Sequence, residues 1–230
     1  MCGRYTLQAD RKEIEKEFDT IIEKAQIAEA ERVMAKRYNI APTQIIVVVR
    51  QFENDRILSG LKWGLVPAWA KDAEIGNRMI NARAETLTEK PSFRNAFRSR
   101  RCIVPASGFY EWKQAGDKGK EPFYFYLKDK PVFGFAGLWE SWIDKETGEE
   151  TESCTIITTE ANAVLSPVHD RMPVIVEQED YDQWLDPKEM DTVKLQKLFK
   201  PYPSYEMASH RVSRQVNSPS FDSPELINSL

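Results

Sequence analysis

Seven short runs of β-branched, aromatic and aliphatic residues recur along the chain, at positions 45–50, 56–63, 101–104, 108–112, 123–127, 132–139 and 154–159. Each has the length and composition of a strand, and polar turns at 114–121 and 144–150 separate several of them as hairpin loops would. Helical periodicity is scarcer. Asp10 and Glu13 form a capping-box pattern, and Ile14, Phe18, Ile21, Ile22 and Ala25 follow at helical spacing, which predicts a helix from Asp10 into the mid-thirties, broken near Gln26. Further helical patterns occupy 160–165 and 179–199, the second divided by Pro187. Residues 212–217 read as a polar-flecked strand. Strands linked mostly by turns predict an α+β fold, with a central antiparallel or mixed sheet flanked by helices. No internal repeat, low-complexity tract or Pro/Gly/Ser linker marks a boundary, so residues 1–230 are expected to form one domain.

Composition excludes several function classes. The 230 residues are 41% hydrophobic and 30% charged, unlike a disordered tail or a disulfide-stapled miniprotein. A chain this long can bury about 70% of its unfolded surface. The longest aliphatic run, 45–49, is too short to span a bilayer, and Arg4 and the charged stretch after Asp10 stand where a signal peptide would be apolar. Three widely spaced cysteines suit a reducing cytosol, so a cytoplasmic, monomeric protein without membrane contact is expected. Net charge is -4, with 32 Lys+Arg against 36 Asp+Glu, but the charge is segregated. Residues 78–101 hold seven basic residues and two acids, whereas 177–191 hold seven acids and one lysine. Such segregation allows either two solvated faces or a local positive groove able to bind phosphates.

Several residues have the chemistry of a site. Cys2 follows the initiator methionine, and removal of Met1 leaves a 1,2-aminothiol. Its amine, with a pKa of about 7.7–8.0, condenses with an aldehyde to an imine, and its thiol can then close a thiazolidine on the same carbon. The alternative is a second residue without a role. Cys102 and Cys154 lie in apolar runs and read as packing residues. No Cys-x-x-Cys pair is present and the histidines are only His169 and His210, so neither zinc nor any other cofactor is expected. Trp63 and Trp69 precede the basic run, as core residues or as base-stacking platforms beside phosphate-binding arginines. Glu111 stands between aromatics in Gly108-Phe109-Tyr110-Glu111-Trp112. It is either an outward-facing strand residue or a desolvated carboxyl whose raised pKa suits acid/base work. His169, in Ser166-Pro167-Val168-His169-Asp170-Arg171-Met172-Pro173, reads equally as a catalytic or a structural imidazole.

Taken together, Met1-Cys2-Gly3-Arg4-Tyr5, Tyr38-Asn39-Ile40-Ala41-Pro42-Thr43, Trp63-Gly64-Leu65-Val66-Pro67, Asn81-Ala82-Arg83-Ala84-Glu85-Thr86, Gly108-Phe109-Tyr110-Glu111-Trp112, His169-Asp170-Arg171-Met172-Pro173 and Val212-Ser213 resemble the SOS-response-associated peptidase (SRAP) family of abasic-site processing proteins. The motifs occur in family order and run nearly end to end. The resemblance implies an α+β fold with a positively charged channel for single-stranded DNA containing abasic sites. It also implies a covalent crosslink from Cys2 to the lesion, with possible autopeptidase and AP-lyase activities. Cys2 would be the nucleophile, Asn81 and Glu111 would line its pocket, and His169 would be the second acid/base. DNA contacts would fall on Arg4, Pro42, Trp69, Arg83 and Thr158. One departure is Trp69-Ala70, where some relatives carry two adjacent aromatics. Two other readings stay open on the residues alone: a cysteine peptidase acting on proteins, and a non-catalytic reader of single-stranded or modified DNA.

Overall fold

The computed structural model describes residues 2–21, 35–116 and 119–230. Its strands, in chain order, are β1 (Tyr5–Leu7), β2 (Thr20–Ile21), β3 (Arg37–Ile40), β4 (Ile45–Phe52), β5 (Asp55–Trp63), β6 (Asn81–Arg83), β7 (Arg101–Ala106), β8 (Gly108–Gln114), β9 (Lys120–Leu127), β10 (Phe133–Ile143), β11 (Glu150–Glu160), β12 (Arg171–Pro173), β13 (Ile175–Val176) and β14 (Met207–Arg211). Four short helices accompany them among the described residues: α1 (Arg11–Phe18), α2 (Arg94–Ser99), α3 (Tyr181–Leu185) and α4 (Thr192–Gln196).

The strands form two sheets. One has the order β14-β9-β8-β1-β3, and the other β12-β11-β10-β7-β4-β5-β2. In the larger sheet β5 also pairs in parallel with β11, at Ser153↔Lys62 and Cys154↔Trp63, so β11, β10, β7, β4 and β5 close into a five-stranded barrel. Closure removes the exposed edges that an open sheet would leave. The main hydrophobic cluster draws on both sheets, from Cys2 through Trp63, Ile103, Phe109 and Phe135 to Met207. The α+β architecture and all seven strand-like runs agree with the sequence reading.

Three local expectations differ from the structure. The first helix has its capping box, Asp10 Oδ1 accepting the Glu13 N–H at 3.0 Å and Glu13 Oε2 accepting the Asp10 N–H at 2.7 Å. It stops at Phe18 because Asp19 turns left-handed (φ 49°) and β-branched Thr20 and Ile21 pair with Arg56 and Ile57. The remainder of the expected helix, 22–34, lies outside the described residues. At 160–165 the helical pattern becomes consecutive turns, because Asn162 Oδ1 accepts from the backbone of Val164 and Leu165 and ends the strand instead. After β14 the chain does not continue as a strand; Ser213 caps a 3₁₀ turn over Arg214–Asn217.

Candidate functional site

Cys2 lies immediately before β1, which pairs antiparallel with β8 at Tyr5↔Phe109 and Thr6↔Gly108. The Tyr110 N–H continues that ladder to the Arg4 carbonyl at 2.9 Å, which brings Glu111 alongside the start of the chain. Side chains alternate along β8, so Tyr110 faces one side and Phe109 and Glu111 the side of the main core. Glu111 is only 2% exposed and Cys2 is fully buried.

The strand that delivers Asn81 was not legible in the sequence. Residues 64–80 loop out from β11 and cross themselves before returning to it; the Gly64 N–H donates to Cys154 O at 2.8 Å and the Leu65 N–H donates to Met79 O at 3.1 Å. At the crossing two glycines touch: a Cβ on Gly64 would lie 2.6 Å from the Gly76 carbonyl oxygen, and Gly64 has φ +132°. The chain then enters β6, parallel to β11 at Ile156↔Asn81, Ile157↔Ala82 and Thr158↔Arg83. Asn81 Nδ2 donates to the Cys2 carbonyl at 2.8 Å, whereas its buried Oδ1 has no hydrogen-bond partner among the described residues. That arrangement fixes the backbone of Cys2 and leaves an acceptor for an incoming group.

His169 ends the turns that follow β11, its N–H donating to Leu165 O at 3.0 Å. Its Nδ1 accepts the Arg171 N–H at 3.0 Å and lies 3.0 Å from Asp170 Oδ1. Burial raises the pKa of Glu111, with His169 acting in the opposite direction. Burial, reinforced by Glu111, also drives the Cys2 thiol strongly upward, so the sulfur is held as SH. The groups at 2, 81, 111 and 169, distant in the chain, are thus linked through Asn81 to Cys2 and through Glu111, midway along β8, to Cys2 and His169.

The nucleic-acid candidates are placed differently from one another. Trp69 is 57% exposed, whereas Trp63 is buried, so the two tryptophans divide between surface and core. Arg83 is exposed and Pro42 half-buried. Arg4 is engaged internally: its Nη1 donates to Asn39 Oδ1 at 2.7 Å and to Val216 O at 2.6 Å. Thr158 is fully buried on β11 beside Arg83 of β6, its Oγ1 donating to Ala82 O at 3.5 Å, so its side chain is not part of the surface. Of the basic run, Arg78, Arg83, Lys90, Arg94 and Arg98 remain exposed. Arg100 pairs with Glu140 at 2.6 Å. Arg101 is buried and donates to the carbonyls of Phe97, Arg98, Trp184, Asp186 and Glu189, its pKa pulled down to about 10 by desolvation. Cys102 and Cys154 are buried, as packing residues would be. Among the described residues, no cluster of three His, Cys, Asp or Glu could hold a metal ion, and no helix is long and apolar enough to cross a membrane.

The family model described as SOS response associated peptidase (SRAP) matches residues 1–219. The chain belongs to the SRAP family. Within it, the abasic site processing protein YoqW of Bacillus subtilis is 48% identical, each chain covered completely. The abasic site processing protein HMCES of Gallus gallus is 34% identical over 76% of this chain and 58% of its own length. A crystal structure of a Bacteroides thetaiotaomicron protein superposes with a TM-score of 0.89 at 29% identity, covering all of both chains. Two residues of the SRAP motifs carry an interaction that sequence reasoning missed. Arg171 Nη1 and Nη2 grip Glu85 Oε1 and Oε2 at 2.7 and 2.9 Å, and Nη2 also reaches Thr158 O at 2.6 Å. Opposite charges in two separate motifs were its only trace in the sequence.

Proposed function

We propose that this protein processes abasic sites in single-stranded DNA by crosslinking Cys2 covalently to the ring-opened deoxyribose. The names of the YoqW and HMCES relatives support the lesion as substrate. The chemistry rests on one observation: the bond from Asn81 to the Cys2 carbonyl, beside a buried Glu111 within electrostatic reach of His169.

The abasic sugar is mostly a closed hemiacetal, and opening it requires one proton on the ring oxygen and removal of one from the C1′ hydroxyl. Glu111, whose basicity is raised by burial, takes the hydroxyl proton; His169 donates from Nε2 to the ring oxygen and regains a proton there from Glu111, so one proton has moved from the hydroxyl to the ring oxygen and both residues are restored. The Cys2 amine, exposed by loss of Met1, adds to the aldehyde and water leaves, giving an imine. The thiol then adds across the C=N bond: sulfur bonds to C1′, its proton ends on nitrogen, and the thiazolidine is complete. Asn81 Oδ1 orients the sugar or the amine. The imine alone would invite β-elimination of the 3′ phosphate, so thiol closure decides between shielding the strand and cutting it. Met1 is removed by the protein itself or by an aminopeptidase. Arg83, Trp69, Pro42 and Arg4 line the path of the strand, with Thr158 beside Arg83. One domain, 1–230, works as a cytoplasmic monomer that joins the nucleoid when bound to DNA.

The test is a denaturing gel of the protein incubated with a single strand bearing one abasic site. A heat-stable shifted band is expected, absent for Cys2→Ala, whose surviving amine is still trapped by borohydride as a reduced imine. An equally stable band from Cys2→Ala would refute the thiazolidine. No band from either protein, with intact mass confirming loss of Met1, would refute the crosslinking function.

A further inference from the structure

We propose that Glu85 is a positioning residue for His169, acting through Arg171 to keep the imidazole proton on Nε2. The inference rests on the reading of His169 as a proton donor in abasic-site chemistry, and its geometry is independent of that reading. The Arg171 guanidinium is 12% exposed and is held at three points, by both oxygens of Glu85 and by the Thr158 carbonyl. A planar guanidinium bound to a carboxylate through two parallel bonds is fixed in orientation as well as position. Thr158 lies on β11 between Arg83 of β6 and Pro173 of β12, so the clamp ties the end of β6 to the start of β12 across the intervening strand.

The backbone of the clamped residue determines the chemistry of the ring. A backbone N–H is a donor only, so the Arg171 N–H at 3.0 Å from Nδ1 requires a lone pair there, and the neutral imidazole then carries its proton on Nε2. A competitor exists: Asp170 Oδ1 is also 3.0 Å from Nδ1 and would accept an Nδ1–H, which puts the lone pair on Nε2. The Asp170 side chain is 83% exposed and free to swing away, whereas Arg171 is held on both sides, its backbone in the β11–β12 ladder opposite Glu160 and its guanidinium on Glu85 and the Thr158 carbonyl. The ring tautomer therefore depends on how firmly residue 171 is held, and Glu85 accepts two of the three bonds that its guanidinium makes. No motif in the sequence assigns this work to Glu85.

The chain has two histidines, so the imidazole nitrogens can be read directly in long-range ¹H–¹⁵N correlation spectra, with His210→Gln to assign the signals. In the full-length wild type at a pH where the ring is neutral, His169 should give the Nε2–H pattern. In Glu85→Ala it should move towards an averaged pattern, and the crosslinking rate should fall about 10–100-fold, as expected for loss of a supporting partner. Affinity for an intact single strand should stay within about twofold, and Glu85→Gln, which retains one bond, should lie between wild type and Glu85→Ala. Should Glu85→Ala fail to fold, Glu85→Gln carries the same comparison. Unchanged His169 signals in these variants overturn the proposal, as does a loss of rate that only follows a loss of strand affinity. A wild type that forms no adduct, yet whose His169 tautomer responds to Glu85, would overturn the function of the site and leave the positioning role standing.

Discussion

At the scale of single residues, Glu111 is where function and stability pull against each other. Burial raises its pKa in the folded chain, so the native state binds a proton more tightly than the unfolded state does. Stability linked to this group is complete below the unfolded pKa and is lost as pH rises through the folded pKa. Glu111→Gln removes the charge that the pocket disfavours. Thermal unfolding at pH 8 should therefore show a Tm higher than wild type by on the order of 2–4 °C, with the difference shrinking towards pH 4. The same variant should crosslink about 10²–10⁴-fold more slowly while binding an intact strand normally. Equal loss of crosslinking and binding would assign Glu111 to strand contact. The residue's position between aromatics pointed to a desolvated carboxyl, but choosing between its two faces needed the register of β1 on β8. For the arginines, residue type alone misled: Arg101 has the same side chain as Arg83, yet one donates to five carbonyls in the interior and the other faces solvent.

At the scale of elements, the placement of Asn81 depends on the crossing of Gly64 and Gly76. Gly64→Ala puts a methyl group against the Gly76 carbonyl in a backbone conformation that L-residues avoid. Urea unfolding should report a loss of about 2–4 kcal/mol, from backbone strain and overpacking together. Crosslinking should fall further than the unfolded fraction explains, because β6 leads directly from that crossing. A fully active, fully stable variant would show that the crossing tolerates displacement. Runs such as 132–139 were legible because buried strands concentrate β-branched and aromatic residues. β6 was not, because three residues within a basic stretch carry no alternation and pair only through β11. The overlong first helix has the opposite cause: amphipathic spacing persists past Asp19, but Thr20 and Ile21 find a partner in β5, and pairing overrides local periodicity.

At the scale of the whole molecule, an acidic protein carries a stretch of chain whose exposed side chains are mostly basic. Asp186 and Glu189 lend their backbone carbonyls to buried Arg101, while Asp182 pairs with Arg56 at the surface at 2.5 Å. Arg78, Arg83, Lys90, Arg94 and Arg98 are exposed, and under the proposed function they meet the phosphate backbone. Arg83→Ala should weaken binding to intact and abasic strands alike and flatten the slope of log K against log salt by about 0.7, the contribution of one phosphate contact on a single strand. Weakening confined to the abasic strand would instead place Arg83 in the reactive pocket. This stretch was visible as a bias in composition. The convergence of positions 2, 81, 111 and 169 was visible only through the order of the motifs, since no local pattern encodes contacts between strands so far apart in the chain.

That separation also sets a timetable. Cys2 is synthesised before the carboxylate at 111 and the imidazole at 169, and barrel closure waits for β11. The surroundings of Cys2 are therefore complete only after β11 has docked and residue 169 has followed it, and a product truncated before that point lacks them.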